Sequence, residues 1–153
     1  MRRLLLVEDN PDLRRVLADY LYRTFEVEVM TADGDVQARA AARTGPFSAI
    51  ILDFLMDGAS AAEVAAEIRA TPGNDRVPVV LLTAFDPDEL ARSNHPLSRR
   101  LLREIRAVMP AAFLVKPFAL ETLREMMEDI VPTLRPATAR AGEAVDPPSS
   151  LRV

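Results

Sequence analysis

The sequence contains no cysteine, which closes off both a disulfide framework and a thiolate metal site. Lysine is nearly missing too: of 19 basic residues, only Lys116 is not Arg. Histidine occurs once, as His95 before Pro96 in a polar stretch, where a solvated ring is a better reading than a catalytic one. No apolar run reaches the length that spans a bilayer. The run Leu4 to Val7 stops at Glu8, too short for the core of a signal peptide. A cytoplasmic chain without membrane insertion is therefore expected. Excess positive charge is absent as well. A net charge of -4 disfavours non-specific binding to nucleic acid, whose phosphates reward clustered cations. The preference for Arg, with abundant Ala, reads as coding bias. It makes the surviving ammonium conspicuous, since Arg does not replace Lys where a compact charge must sit against one oxygen.

What is present fits a single domain with a tail: 153 residues, 49% apolar and 27% charged. Five short apolar runs, Arg3–Val7, Val27–Thr31, Ala49–Leu52, Val79–Leu82 and Phe113–Val115, read as buried strands. Segments of helical period lie between them. Pro11 to Arg23 sets Leu13, Val16, Leu17, Tyr20 and Leu21 on one face, with Asn10 as N-cap. Further helices are expected over Asp35–Arg43, Ser60–Ala70 and Leu120–Leu134. Alternating strand and helix implies right-handed crossovers and a parallel sheet covered on both faces, an α/β fold. The domain is expected over 1–135. From Pro136 the chain is rich in Pro, Ala and Ser without apolar period, and 136–153 is expected to be a disordered C-terminal tail.

Glu8 and Asp9 follow the first strand and Asp53 follows the third. In an open parallel sheet, ligands collect at the carboxyl ends of strands where strand order reverses. Three carboxylates meeting there repel unless a cation joins them, and oxygen-only donors suit Mg²⁺. Thr83 and Lys116, ending the fourth and fifth strands, would bring a hydroxyl and an ammonium to the same pocket. Such a set fits phosphoryl transfer, which needs positioning and charge neutralisation, with a carboxylate as nucleophile.

The segments LLLVEDN, TADGDVQA, AIILDFLMDG, VPVVLLTAF and FLVKPF, in this order, resemble the receiver domain of two-component response regulators, over residues 3 to about 134. The resemblance implies a flavodoxin-like, doubly wound five-stranded parallel sheet in the order 2-1-3-4-5. It implies Asp53 as phospho-acceptor, with Asp9 as a direct Mg²⁺ ligand and Glu8 acting largely through water. The Leu55 backbone carbonyl would complete the protein's share of the metal shell. Lys116 would pair with a phosphoryl oxygen, Thr83 would bond another, and Phe113 would swing with Thr83 as the switch aromatic. A cis Lys116–Pro117 bond is also implied. The partners implied are a histidine kinase or histidine phosphotransfer protein and an unidentified protein target, the chain acting as monomer or homodimer. Such a chain is a phospho-acceptor rather than a turnover enzyme.

Three features depart from the receiver pattern. Asp57 and Ala61 stand where receivers usually carry Pro and Gly. Leu55 and Phe85, two residues beyond Asp53 and Thr83, are apolar where polar residues often place the hydrolytic water. The interval from Thr83 to Phe113 is about 11 residues longer than usual, implying an enlarged fourth-helix region. There Leu97, Leu101, Leu102, Ile105 and Val108 form an apolar stripe beside Arg99, Arg100, Arg103 and Arg106. This is either a longer helix with a solvated face or a remodelled output surface. The rival to phosphorylation is a pseudo-receiver, an interaction module working unphosphorylated. An aspartate-nucleophile phosphatase would want a second acid where Leu55 stands. A flavin carrier would want aromatic and phosphate-binding loops that are missing. Direct binding to nucleic acid is not expected.

Overall fold

The computed structural model describes residues 2–137 and 152–153. Eleven elements follow in order: β1 (Arg3–Val7), α1 (Pro11–Phe25), β2 (Glu28–Ala32), α2 (Asp35–Ala42), β3 (Ala49–Asp53), α3 (Ala61–Arg69), β4 (Val79–Thr83), α4 (Pro87–Arg92), α5 (Pro96–Ala107), β5 (Ala112–Val115) and α6 (Leu120–Ile130). All strand pairs are parallel, and the order is β2-β1-β3-β4-β5. Strands β1, β3 and β4 are sealed on both sides, which is why they read as unbroken apolar runs. Leu5, Val7, Ile50, Leu52, Val79 and Leu81 face α2, α3 and α5. Leu4, Leu6, Ala49, Ile51, Val80 and Leu82 face α1 and α6. Each fully buried Leu or Ile contributes about 2 kcal/mol of transfer free energy.

Helix starts follow side-chain chemistry. Asn10 accepts from the N–H groups of Asp12 and Leu13 at 3.0 and 3.1 Å, with Pro11 in the first turn. The apolar face of α1 runs through Leu17, Tyr20, Leu21 and Phe25, whereas Val16, expected on it, is turned to solvent. The last helix stops at Ile130, short of the expected Leu134.

The enlarged region is two helices, not one extended helix. Proline explains the break: its ring disfavours helical backbone at the residue before it, so the chain restarts at Pro96. Asp86 caps α4 by accepting from Asp88, and His95 caps α5 through Nδ1, which accepts from the Leu97 N–H at 3.1 Å. The lone histidine thus has a structural task that its neighbours in sequence did not reveal. Ile105 and Val108 bury the inner face of α5, beside half-buried Leu101.

Most of the tail expected to be disordered, residues 138–151, lies outside the described residues. Arg152 and Val153 do not share that expectation. Val153 exchanges backbone hydrogen bonds with Phe118 at 2.8 and 2.9 Å, and its side chain joins the apolar cluster beneath α1 and α6. Two backbone bonds plus apolar burial hold this pair of residues in place.

Asn74 is fully buried between α3 and β4 and ties three segments together. Its Oδ1 accepts from Phe47 at 2.9 Å, and its Nδ2 donates to Ala42, Gly45 and Thr71. Asn74→Ala would orphan these groups, each costing about 1–3 kcal/mol when buried and unpaired. A loss of roughly 2–4 kcal/mol is expected in urea denaturation, with the denaturant slope unchanged.

Candidate functional site

The carboxyl ends of β1, β3, β4 and β5 define one pocket. Pairing of Val7 with Leu52, and of Asp53 with Leu82, sets these strand ends level, so the residues just beyond them converge. Glu8, Asp9 and Asp53 each offer an oxygen, and these oxygens lie within 4.8 Å of one another. Glu8 and Asp53 are 1% and 5% exposed, while Asp9 is open to solvent. The Lys116 ammonium reaches both buried acids: Nζ lies 3.4 and 3.5 Å from the Glu8 oxygens and 3.3 Å from Asp53 Oδ1. The Lys116–Pro117 bond is cis, as the resemblance implied.

Burial, with Asp53 close by, pushes the Glu8 carboxyl up from 4.5 to about 7, against the pull of Lys116. Burial likewise raises Asp53, opposed by Lys116. One ammonium does not balance three carboxylates. The donor set is all oxygen, closely grouped and under-neutralised, which is the chemistry of a hard divalent cation site.

The remaining expected residues are Leu55, Thr83 and Phe113. Leu55, just past β3, is 56% exposed. Thr83 is buried at the end of β4, but its hydroxyl is engaged with its own loop. It accepts from the Phe85 N–H at 2.9 Å and donates to the Phe85 carbonyl at 3.1 Å. Phe113 stands on edge strand β5, 36% exposed. Phe85 packs edge-on against Phe54, ring centroids 6.4 Å apart, making an aromatic wall beside Asp53 and Thr83. Asp57 is exposed and stands outside the carboxylate cluster.

Arg14 is a site residue that the sequence did not disclose. Its Nη1 donates to the backbone carbonyls of Glu8 at 2.8 Å and Asp9 at 3.5 Å, fixing the loop that carries both acids. It sits half-buried on the first turns of α1, where an Arg gives no signal in an amphipathic pattern.

An open parallel sheet of this strand order, with acids and a lysine at its carboxyl edge, defines a doubly wound α/β protein of receiver type. Comparison with known proteins agrees: the model of the response regulator receiver domain family matches residues 4–128, and the chain belongs to that family. The transcriptional regulatory protein PdtaR of Mycobacterium tuberculosis is 31% identical over 144 residues, covering 93% of this chain. The chain spans only 62% of that relative's length. The receiver domain of the sensor histidine kinase PA1611 of Pseudomonas aeruginosa, solved with magnesium in its active-site cleft, superposes with a TM-score of 0.69 at 26% identity. The match covers 86% of this chain and 98% of that one. The response regulator TrrA of Thermotoga maritima, solved with Mg²⁺ and BeF, gives 0.62 at 30% identity over 85% of this chain and 99% of that one. Among the described residues no helix is long and apolar enough to cross a membrane.

Proposed function

We propose that this chain is a phospho-acceptor of two-component signalling, receiving a phosphoryl group on Asp53 from a histidine kinase or histidine phosphotransfer protein. The observation that carries the reading is the meeting of Glu8, Asp9 and Asp53 with the single lysine of the sequence at one sheet edge. Glu8, Asp9, Asp53 and the Leu55 carbonyl would hold Mg²⁺, whose charge, when bound, offsets that of the phosphoryl oxygens. An Asp53 oxygen attacks phosphorus, the bond from phosphorus to the donor nitrogen breaks, and the leaving imidazole takes up a proton. Lys116 exchanges its hold on Asp53 for a phosphoryl oxygen. Thr83 would have to surrender its bonds to Phe85 to reach another oxygen, and that exchange would draw the β4–α4 loop inward. Phe113 and the face formed by α5, β5 and α6 would then present the altered surface to a protein target. The product is a signalling state rather than released product, so the chain is not a turnover enzyme, and nothing in the proposed reaction requires nucleic acid or a membrane.

On the outer face of α5, Arg99, Arg103 and Arg106 follow one another at i, i+4 and i+7, and no ion-pair partner is found for them among the described residues. Such a ridge suits an acidic target. Reversing all three charges is expected to weaken target capture several-fold in a pull-down while leaving phosphorylation unchanged.

The raised Glu8 makes cation binding pH-dependent. Near neutral pH the empty site holds part of a proton that a metal must displace, so affinity for Mg²⁺ should fall by up to about tenfold per pH unit below 7. Calorimetry in buffers of different ionisation enthalpy would register the released proton, and Glu8→Gln should abolish the release. Without metal, the folded state holds this proton more tightly than the unfolded chain does. Its contribution to stability is therefore full below about pH 4.5 and disappears as pH rises through 7.

A second reading, an unphosphorylated interaction module, draws on the Thr83 hydroxyl being committed to Phe85. Beryllofluoride with Mg²⁺ separates the two: saturable binding that shifts β4–β5 resonances supports the phospho-acceptor, and no binding supports the module.

A further inference from the structure

The carboxylate of Asp35, at the start of α2, lies directly against the turn that follows Asp53. A Cβ placed on Gly58 would meet Asp35 Oδ1 at 3.0 Å and Oδ2 at 3.3 Å. The Ala59 backbone N–H faces the same carboxylate. Burial alone would raise this acid, but that N–H together with Arg39 holds it below the usual carboxylate range. Arg39 Nη2 binds Asp35 Oδ2 at 2.7 Å, and its Nε binds Glu67 on α3. On the other side, Ala32, three residues before Asp35, accepts the backbone N–H of Glu8 at 3.0 Å. Asp35 therefore stands between the end of β2, whose Ala32 carbonyl holds the Glu8 N–H, and the turn at Gly58 and Ala59.

The turn so held needs holding. Gly58 has φ of +93°, a conformation closed to most side chains, and Asp57 stands where the receiver pattern has a rigid proline. The turn begins at Leu55, whose carbonyl is the backbone oxygen assigned to the metal. We infer that Asp35 is a positioning residue for the cation site: it pins the Gly58–Ala59 turn and so fixes the Leu55 carbonyl relative to Glu8, Asp9 and Asp53. This rests on the metal reading above and adds to it a residue outside the ligand set. Ligand-orienting groups of this kind commonly govern metal affinity as strongly as a weak ligand does.

The test is Mg²⁺ affinity by calorimetry, with amide hydrogen exchange over residues 55–59 in metal-free protein. Asp35→Ala is expected to weaken Mg²⁺ binding by about tenfold and to accelerate exchange in the turn. Gly58→Ala, which drives a methyl into Asp35, should do the same. Asp35→Asn keeps an oxygen facing Ala59 and should stay within about twofold of wild type. Glu67→Ala, which removes the far link only, should leave Mg²⁺ affinity unchanged. Asp35→Ala with wild-type affinity overturns the inference. So does Asp35→Asn with as large a loss as Asp35→Ala, because charge rather than position would then be at work. A wild-type chain that takes up no Mg²⁺ sinks the metal reading as well, so the two failures are told apart.

Discussion

Incubated with acetyl phosphate and Mg²⁺, the wild-type chain is expected to gain one phosphoryl group by intact mass and the Asp53→Asn chain none. Asparagine keeps the shape of the strand end and still accepts from Lys116, so the fold and the aromatic wall of Phe54 and Phe85 should survive. What is lost is the nucleophile, because an amide oxygen in place of a carboxylate does not form a stable acyl phosphate. The expected effect is all or nothing on this assay, a loss of at least about a thousandfold. The adduct on wild type should be released by hydroxylamine, as an acyl phosphate is. A variant that still gained the group would move the chemistry to Glu8 or Asp9, the other oxygens within 4.8 Å, and would undo the proposal. Lys116→Ala is an internal comparison: it leaves the nucleophile but removes the ammonium 3.3 Å from it, so phosphorylation should slow without vanishing.

The second large effect concerns how long the phosphoryl group stays. Hydrolysis requires a water held in line with the bond from phosphorus to Asp53, and a polar side chain near the rim is the means of holding it. Leu55 and Phe85 offer no such atom. Leu55 is largely exposed and therefore does not seal the pocket; its relevance is that it cannot orient a water. Phe85 is fixed against Phe54 and contributes an apolar wall on the side of Thr83. The acyl phosphate is expected to last minutes to hours. Leu55→Asn should shorten its lifetime by about tenfold, the scale of one positioning hydrogen bond. Decay of the adduct by mass after donor removal gives the rate directly. A wild-type lifetime of seconds would show that water is placed by something other than these two side chains.

Much of this site could be read before any coordinates. Strand runs sealed on both faces leave a strong mark, and Glu8, Asp9, Asp53, Thr83 and Lys116 each stand at the end or just beyond such a run. Once the strand order implied by the resemblance is granted, Glu8, Asp9, Asp53 and Lys116 must meet, as they do; the Thr83 hydroxyl instead bonds Phe85. The failures share a cause. Val16 lies at the margin of the apolar face of α1, where a helical period leaves two positions nearly equivalent. The region after Thr83 carries a periodic pattern from Pro96, but the short helix Pro87–Arg92 is too brief for a period and shows only in its cap. Asp35 and Asn74 act on segments more than twenty residues away, and such a contact leaves no local trace; Arg14 reaches back only to the Glu8 and Asp9 carbonyls, but nothing in its identity tells that contact from an ordinary solvated Arg. The engagement of Thr83 with Phe85 is local, but it is a choice of rotamer that residue identity does not encode.

The guanidinium of Arg69 gives the added helices a further property. It closes α3 by donating to the carbonyls of Val108 and Met109 at 2.6 and 3.0 Å, and burial lowers its readiness to stay charged. Those two carbonyls terminate α5, and Met109 there takes a left-handed backbone at φ +53° and is 75% exposed. An extra segment fastened at its exit to the helix that follows Asp53 is no loose appendage. It should open and close together with α3 as one cooperative unit in native-state exchange, so that a disturbance at the acceptor aspartate is registered at the far end of the graft.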